Sequence, residues 1–197
     1  MWAFRAHATS IECFGEHSAA GTFANVGDFS VSPGTLQAQS FVPSGNCTVT
    51  SVSVYGKKAN SPTPNNYQVA IYSDSSGDPG SLIEQGSDIT SFTGSVSWAT
   101  STFSGTTVLT SGTTYWVYMS SGTSGFDDTN FFKVSIGPGG TSVAKGKAPG
   151  GSWVDNMVDF TVYVTGSAAT AATPTATSTV RINNGTVWIN NGRLWQL

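Results

Sequence analysis

Apolar and polar residues alternate with a period of two along short runs between residues 37 and 165, the pattern of half-buried strands rather than helices. The clearest run is VTSVSVY, in which Val49, Val52 and Val54 are apolar and Ser51 and Ser53 lie between them. Parity changes between Val49 and Val52, which predicts a bulge or a strand boundary there. Strands are predicted over 37–43, 47–55, 67–73, 80–86, 96–104, 107–110, 114–120, 131–136 and 159–165. Turn chemistry divides them. SDSSGDPGS (73–81) holds two glycines and a proline and is expected to interrupt any strand, TSGTT (110–114) joins two runs, and GPGG with APGGS brackets a glycine-rich excursion at 137–152. In residues 1–36, WAFRA and IECF are strand-like while GEHSAAGTF reads as loop, so this stretch is a strand or extension whose place in the domain stays open.

Composition sharpens this into a fold class. Only 10% of the 197 residues are charged, and Ser and Thr together number 54 beside 23 Gly. Long amphipathic helices need Leu, Glu, Lys and Arg, whereas Thr, Val and aromatics suit pleated surfaces. The expectation is all-β: a jelly-roll-like β-sandwich over 37–166, with a small C-terminal β-meander on a linker. A net charge of −3 offers no basic face to a phosphate backbone, so nucleic acid is not an expected partner. No window approaches the roughly 20 apolar residues of a membrane span. The N-terminus lacks the charged and apolar regions of a secretory signal, which points to production without export by that route. Cys13 and Cys47 form no disulfide framework; they are read as buried free thiols, with pairing open if the first strand lies beside the third.

At Gly166 the texture changes to SAATAATPTATST, an extended Ala/Thr linker over 167–179. Beyond it, VRINNGTVWINNGRLWQL repeats INNG seven residues apart. Asn-Gly favours the type I′ turn, so Asn184-Gly185 and Asn191-Gly192 predict a three-stranded meander. Ile182 then faces Val187 and Arg181 faces Trp188; across the second turn, Ile189 faces Leu194 and Trp188 faces Trp195. One face is apolar through Val187, Ile189 and Leu194, and the other carries the row Arg181, Trp188 and Trp195. A sheet of this size is marginal alone in water, so these six residues are the expected contact with another molecule.

Few residues suggest chemistry. His7, Glu12, Cys13, Glu16 and His17 match no metal-ligand spacing. Asp74, Asp78 and Asp88, like Asp127, Asp128 and Asn130, read as turn residues rather than as a calcium loop. No nucleophile elbow is present, and no cofactor, metal or catalytic residue is expected. Aromatic side chains are the remaining route: Trp153, Trp98 and Tyr67 are candidates for stacking on a glycan, whereas Trp116 reads as core because both faces of TYWVYMS are apolar.

Residues 38–165 resemble bacterial and phage β-sandwich domains of the choice-of-anchor type. The resemblance rests on AQSFVPSGNCTVTSVSVYGKK, VAIYSDSSGDPGSLI, WATSTFSGTTVLTSGTTYWVYMSSG and SWVDNMVDFTVYV, in that order. It implies a non-catalytic sandwich of the carbohydrate-binding-module type on a virion or cell surface, and brings no functional residues with it. The tail is similar to the V-x-x-N-G-x-x-W repeats of phage minor tail proteins. Together these imply a phage virion structural protein, a capsid decoration, head fibre or tail appendage assembled in the host cytoplasm, whose partners are other virion proteins or copies of itself. A glycan-binding module and a secreted filament or surface-layer subunit, both extracellular, are the alternatives.

Overall fold

The computed structural model describes residues 10–17, 21–26, 36–59, 66–121, 131–137, 143–148, 150–156 and 158–169, together with the strand backbones at 180–182, 185–187, 189–190 and 193–194. Among the described residues there is no helix. The strands are β1 (Ser10–Gly15), β2 (Phe23–Val26), β3 (Leu36–Phe41), β4 (Cys47–Lys58), β5 (Tyr67–Ser75), β6 (Asp78–Gln85), β7 (Ser97–Thr102), β8 (Val108–Leu109) and β9 (Tyr115–Ser121). They continue with β10 (Phe132–Ser135), β11 (Ala144–Lys147), β12 (Val154–Asp155), β13 (Val162–Ala168), β14 (Val180–Ile182), β15 (Gly185–Val187), β16 (Ile189–Asn190) and β17 (Arg193–Leu194).

Two antiparallel sheets make a β-sandwich. The seven-stranded sheet runs β1-β13-β4-β10-β2, with β7 and β8 on the other edge of β4; the six-stranded sheet runs β12-β11-β3-β9-β5-β6. Val49, Val52 and Val54 of β4 face Val69 and Ile71 of β5 and Val117 and Met119 of β9 in a core closed by Phe132 and Phe160. Inward positions are apolar because each strand has one dry face, which is why the period-two pattern was readable.

The change of parity on β4 is a bulge. Ser51 pairs with Thr165 and Val49 with Gly166, which leaves Thr50 unpaired. Both Val49 and Val52 therefore reach the core.

Three expectations are corrected. Residues 73–81 do not interrupt the strands: β5 and β6 run to a two-residue turn at Ser76 (φ 57°) and Gly77 (φ 84°), with Ser75 paired to Asp78. Positive φ at both central residues is the type I′ geometry, which Ser-Gly here adopts in place of Asn-Gly. Pro79 is tolerated because β6 is an edge strand. The glycine-rich excursion contains β11, which pairs with β3. The boundary at Gly166 falls inside β13, where Ser167 and Ala168 still pair with Thr48 and Cys47.

The N-terminal stretch joins the sandwich through β1, on β13, and β2, on β10. Cys13 and Cys47 are disulfide-bonded, with Cα atoms 5.9 Å apart. They flank β13, so the bond ties its two neighbours together across it; free thiols are not what the structure holds.

Among the described residues the terminal strands form two separate ladders and pair with no strand of either sandwich sheet. In β16–β17 the register is as expected, Ile189 opposite Leu194 and Asn190 opposite Arg193. In β14–β15 it is not: Val180 pairs with Val187, Arg181 with Thr186 and Ile182 with Gly185. Arg181 therefore faces Thr186 rather than Trp188. Asn183, Asn184, Trp188 and Trp195 lie outside the described residues, as do the side chains of Arg181, Val187, Ile189 and Leu194.

Candidate functional site

The outer face of the seven-stranded sheet gathers aromatic rings that lie far apart in the chain. Ala99 faces the core, so its neighbour Trp98 faces out, and the pairing of Trp98 with Tyr55 across β4 and β7 places the two rings together. Their centroids are 5.1 Å apart, and Tyr163 of β13 lies 4.8 Å from Trp98 in an edge-to-face contact. His17, just beyond β1, sits 5.0 Å from Tyr163 and 6.0 Å from Trp98, with its Nε2 2.7 Å from Glu12 Oε2. Trp98 remains 39% exposed. Beside the rings the face is paved with hydroxyls: Ser53 Oγ and Thr100 Oγ1 are 2.7 Å apart, and Ser51 Oγ and Thr165 Oγ1 are 2.5 Å apart.

A second aromatic group covers the outer face of the six-stranded sheet. Tyr72 and Tyr118 stack at 4.6 Å, and Trp153 meets Tyr118 edge-on at 6.0 Å under the Lys147 ammonium. Burial, and then the neighbouring Tyr72, push the Tyr118 hydroxyl up to about 12; burial raises Tyr72 as well. Trp116, on the same face, is only 1% exposed. Its Nε1 donates to Asp74 Oδ1 at 2.8 Å, and Lys145 lies over the ring. Lys145 is held between Asp78 at 2.5 Å and Asp155 at 3.2 Å. The hydrogen bond to Asp78 raises its pKa, burial opposes, and Asp155 adds to the rise. Sequence placed Trp116 in a doubly apolar strand, and its burial agrees.

A cleft of about 480 Å³ opens beside this network, lined among others by Phe14, Phe41, Val42, Thr114 and Asp74. Asp74 is already committed, since its second oxygen accepts from the Gly77 amide at 3.1 Å. Asp88 accepts from Gln68 Nε2 at 3.2 Å. Asp74 thus serves a turn, the reading its sequence context suggested, whereas Asp88 makes a strand contact. Among the described residues no three His, Cys, Asp or Glu side chains converge to hold a metal ion. His7, Asp127, Asp128 and Asn130 lie outside the described residues.

The structure separates the three aromatic candidates. Trp98 and Trp153 stand on opposite outer faces of the sandwich, so they do not share a site. Tyr67 is 1% exposed, packed edge-to-face against Phe92 and Phe132, and cannot stack on a ligand. Strand parity explains the correction: Tyr67 shares the inward face of β5 with Val69 and Ile71. Its hydroxyl has no hydrogen-bond partner among the described residues, and burial raises its pKa strongly. Sequence reading missed Tyr55, Tyr163 and His17 as companions of Trp98. Outward parity was legible for Tyr55, but the adjacency of β13 to β4 was not.

No protein-family model matches this chain, and no curated protein matches it.

Proposed function

We propose that this protein is a non-enzymatic phage virion component, a capsid decoration, head fibre or tail appendage, in which the sandwich is displayed and the C-terminal segment attaches it. The observation that carries this reading is that, among the described residues, β14–β17 pair only among themselves, outside both sandwich sheets. Two-stranded ladders this short gain little stability in water, so docking onto a partner is what would hold them. The Cys13–Cys47 disulfide supports a final position on a particle surface, an oxidising setting in which such bonds persist.

The test compares the full chain with one ending at Ala169. We expect the shortened chain to keep the sandwich's near-ultraviolet circular dichroism and cooperative melting, and to lose co-sedimentation with particles of its phage. Co-sedimentation of the shortened chain would show that attachment lies elsewhere. Light scattering of the full chain alone separates the filament alternative, which requires self-association without any particle.

A further inference from the structure

The outer face of the seven-stranded sheet carries two features that the fold does not use. One is the aromatic platform of Tyr55, Trp98 and Tyr163. The other begins two residues further along β4. Lys57 shares the outward parity of Tyr55, and on β10 its direct partner is Lys133. Like charges directly opposite each other in an antiparallel pair are destabilising. Among the described residues neither lysine has a carboxylate within ion-pair distance; Lys57 lies 5.1 Å from the centre of the Phe23 ring and Lys133 5.6 Å from that of Phe131. Two opposed cations on the β10 side of β4, on the same outer face as the exposed indole on its β7 side, are costly to the free protein and useful to an anionic ligand.

We propose that this face binds a glycan bearing carboxylate groups, with a pyranose ring on Trp98 and its flanking tyrosines and the carboxylate drawn to Lys57 and Lys133. The apolar C–H face of a pyranose matches an indole plane, and the nearby Thr100 and Thr165 hydroxyls can exchange hydrogen bonds with sugar hydroxyls. A protein partner fits less well. Interface cores join aromatics to aliphatic and other apolar side chains, whereas the large exposed aliphatic residue of β4, β7, β8 and β13 is Val108, which pairs with Thr48 at the far end of β4. Glu12 stands at the Tyr163 end beside His17, away from the lysines, so the face is polarised along its length.

The experiment uses the full chain on an array of neutral and carboxylated glycans. The bound glycans are then titrated calorimetrically beside their carboxyl-reduced forms. We expect carboxylated glycans to bind and reduced forms to bind about tenfold more weakly, with affinity falling as salt rises from about 0.05 to 0.5 M. Trp98→Ala and the double variant Lys57→Gln/Lys133→Gln should each weaken binding about tenfold or more while still unfolding in one cooperative thermal transition, and Trp153→Ala should bind as the parent does. The proposal is overturned if no carboxylated glycan binds, if reduced and carboxylated forms bind alike, or if binding survives Trp98→Ala and is lost in Trp153→Ala.

Discussion

Gly166 shows how a single residue is set by its neighbours. A Cβ built there would lie 2.6 Å from Cys47 Sγ and against the Thr48 carbonyl oxygen. The disulfide that joins the two neighbours of β13 packs where that side chain would stand. Gly166→Ala should therefore lower unfolding stability by about 1–3 kcal/mol in urea denaturation, the range for overpacking a tight site. The same variant in a Cys13→Ser/Cys47→Ser background should keep most of that cost, because the Thr48 carbonyl oxygen, the nearest atom to the added Cβ, stays in place. Nothing in the local string SAAT around Gly166 signals this; the glycine reads there as the start of a linker. Trp116 is the opposite case. Its doubly apolar strand announced burial, although the Asp74 carboxylate that satisfies its Nε1 came from a hairpin expected only as a turn.

Among the elements, the β5–β6 hairpin depends on two positive φ values in succession. Glycine takes that conformation freely, while Ser does so at some cost. Gly77→Ala should destabilise the protein by about 1–2 kcal/mol, and Ser76→Asn should stabilise it slightly, because Asn is favoured at that position of a type I′ turn. A pair of thermal melts moving in opposite directions would establish the turn type. Most strand centres were legible because inward residues alternate. β11 and β12 were not: AKGK and VD are too short and polar to stand out, and are strands only because the edge of β3 is there to pair with β11. The INNG repeats make the same point. Each permits two registers, and in β14–β15 Ile182 pairs with Gly185 where the Asn-Gly turn would have set it opposite Val187.

Across the whole molecule, the buried titratable groups predict the pH response. Tyr67, Tyr72 and Tyr118 have pKa values raised mainly by burial, and Lys145 chiefly by its hydrogen bond to Asp78. In each case the folded state holds its proton more tightly than the unfolded chain does. Stability is thus full below the unfolded values, near 10 for Tyr and 10.5 for Lys, and is lost as pH rises through the folded ones. Chemical denaturation between pH 8 and 11 should show a fall that begins near pH 10. Phenylalanine at Tyr118 should shallow that fall, since it removes one of the protons withheld from solvent.

Sequence alone determined the fold class, the dry faces of the long strands and the burial of Trp116, because these follow from alternation and propensity within a strand; the parity change on β4 was visible too, but pairing with β13 made it a bulge rather than a boundary. Tertiary structure decided which strands are neighbours. That placed β13 between β1 and β4, closed the disulfide across it, and put Tyr55, Trp98 and Tyr163 on one surface with Lys57 and Lys133 on the same face. Pairing between distant strands is chosen by packing of the whole sandwich, and a surface assembled from several strands is not written in any one of them.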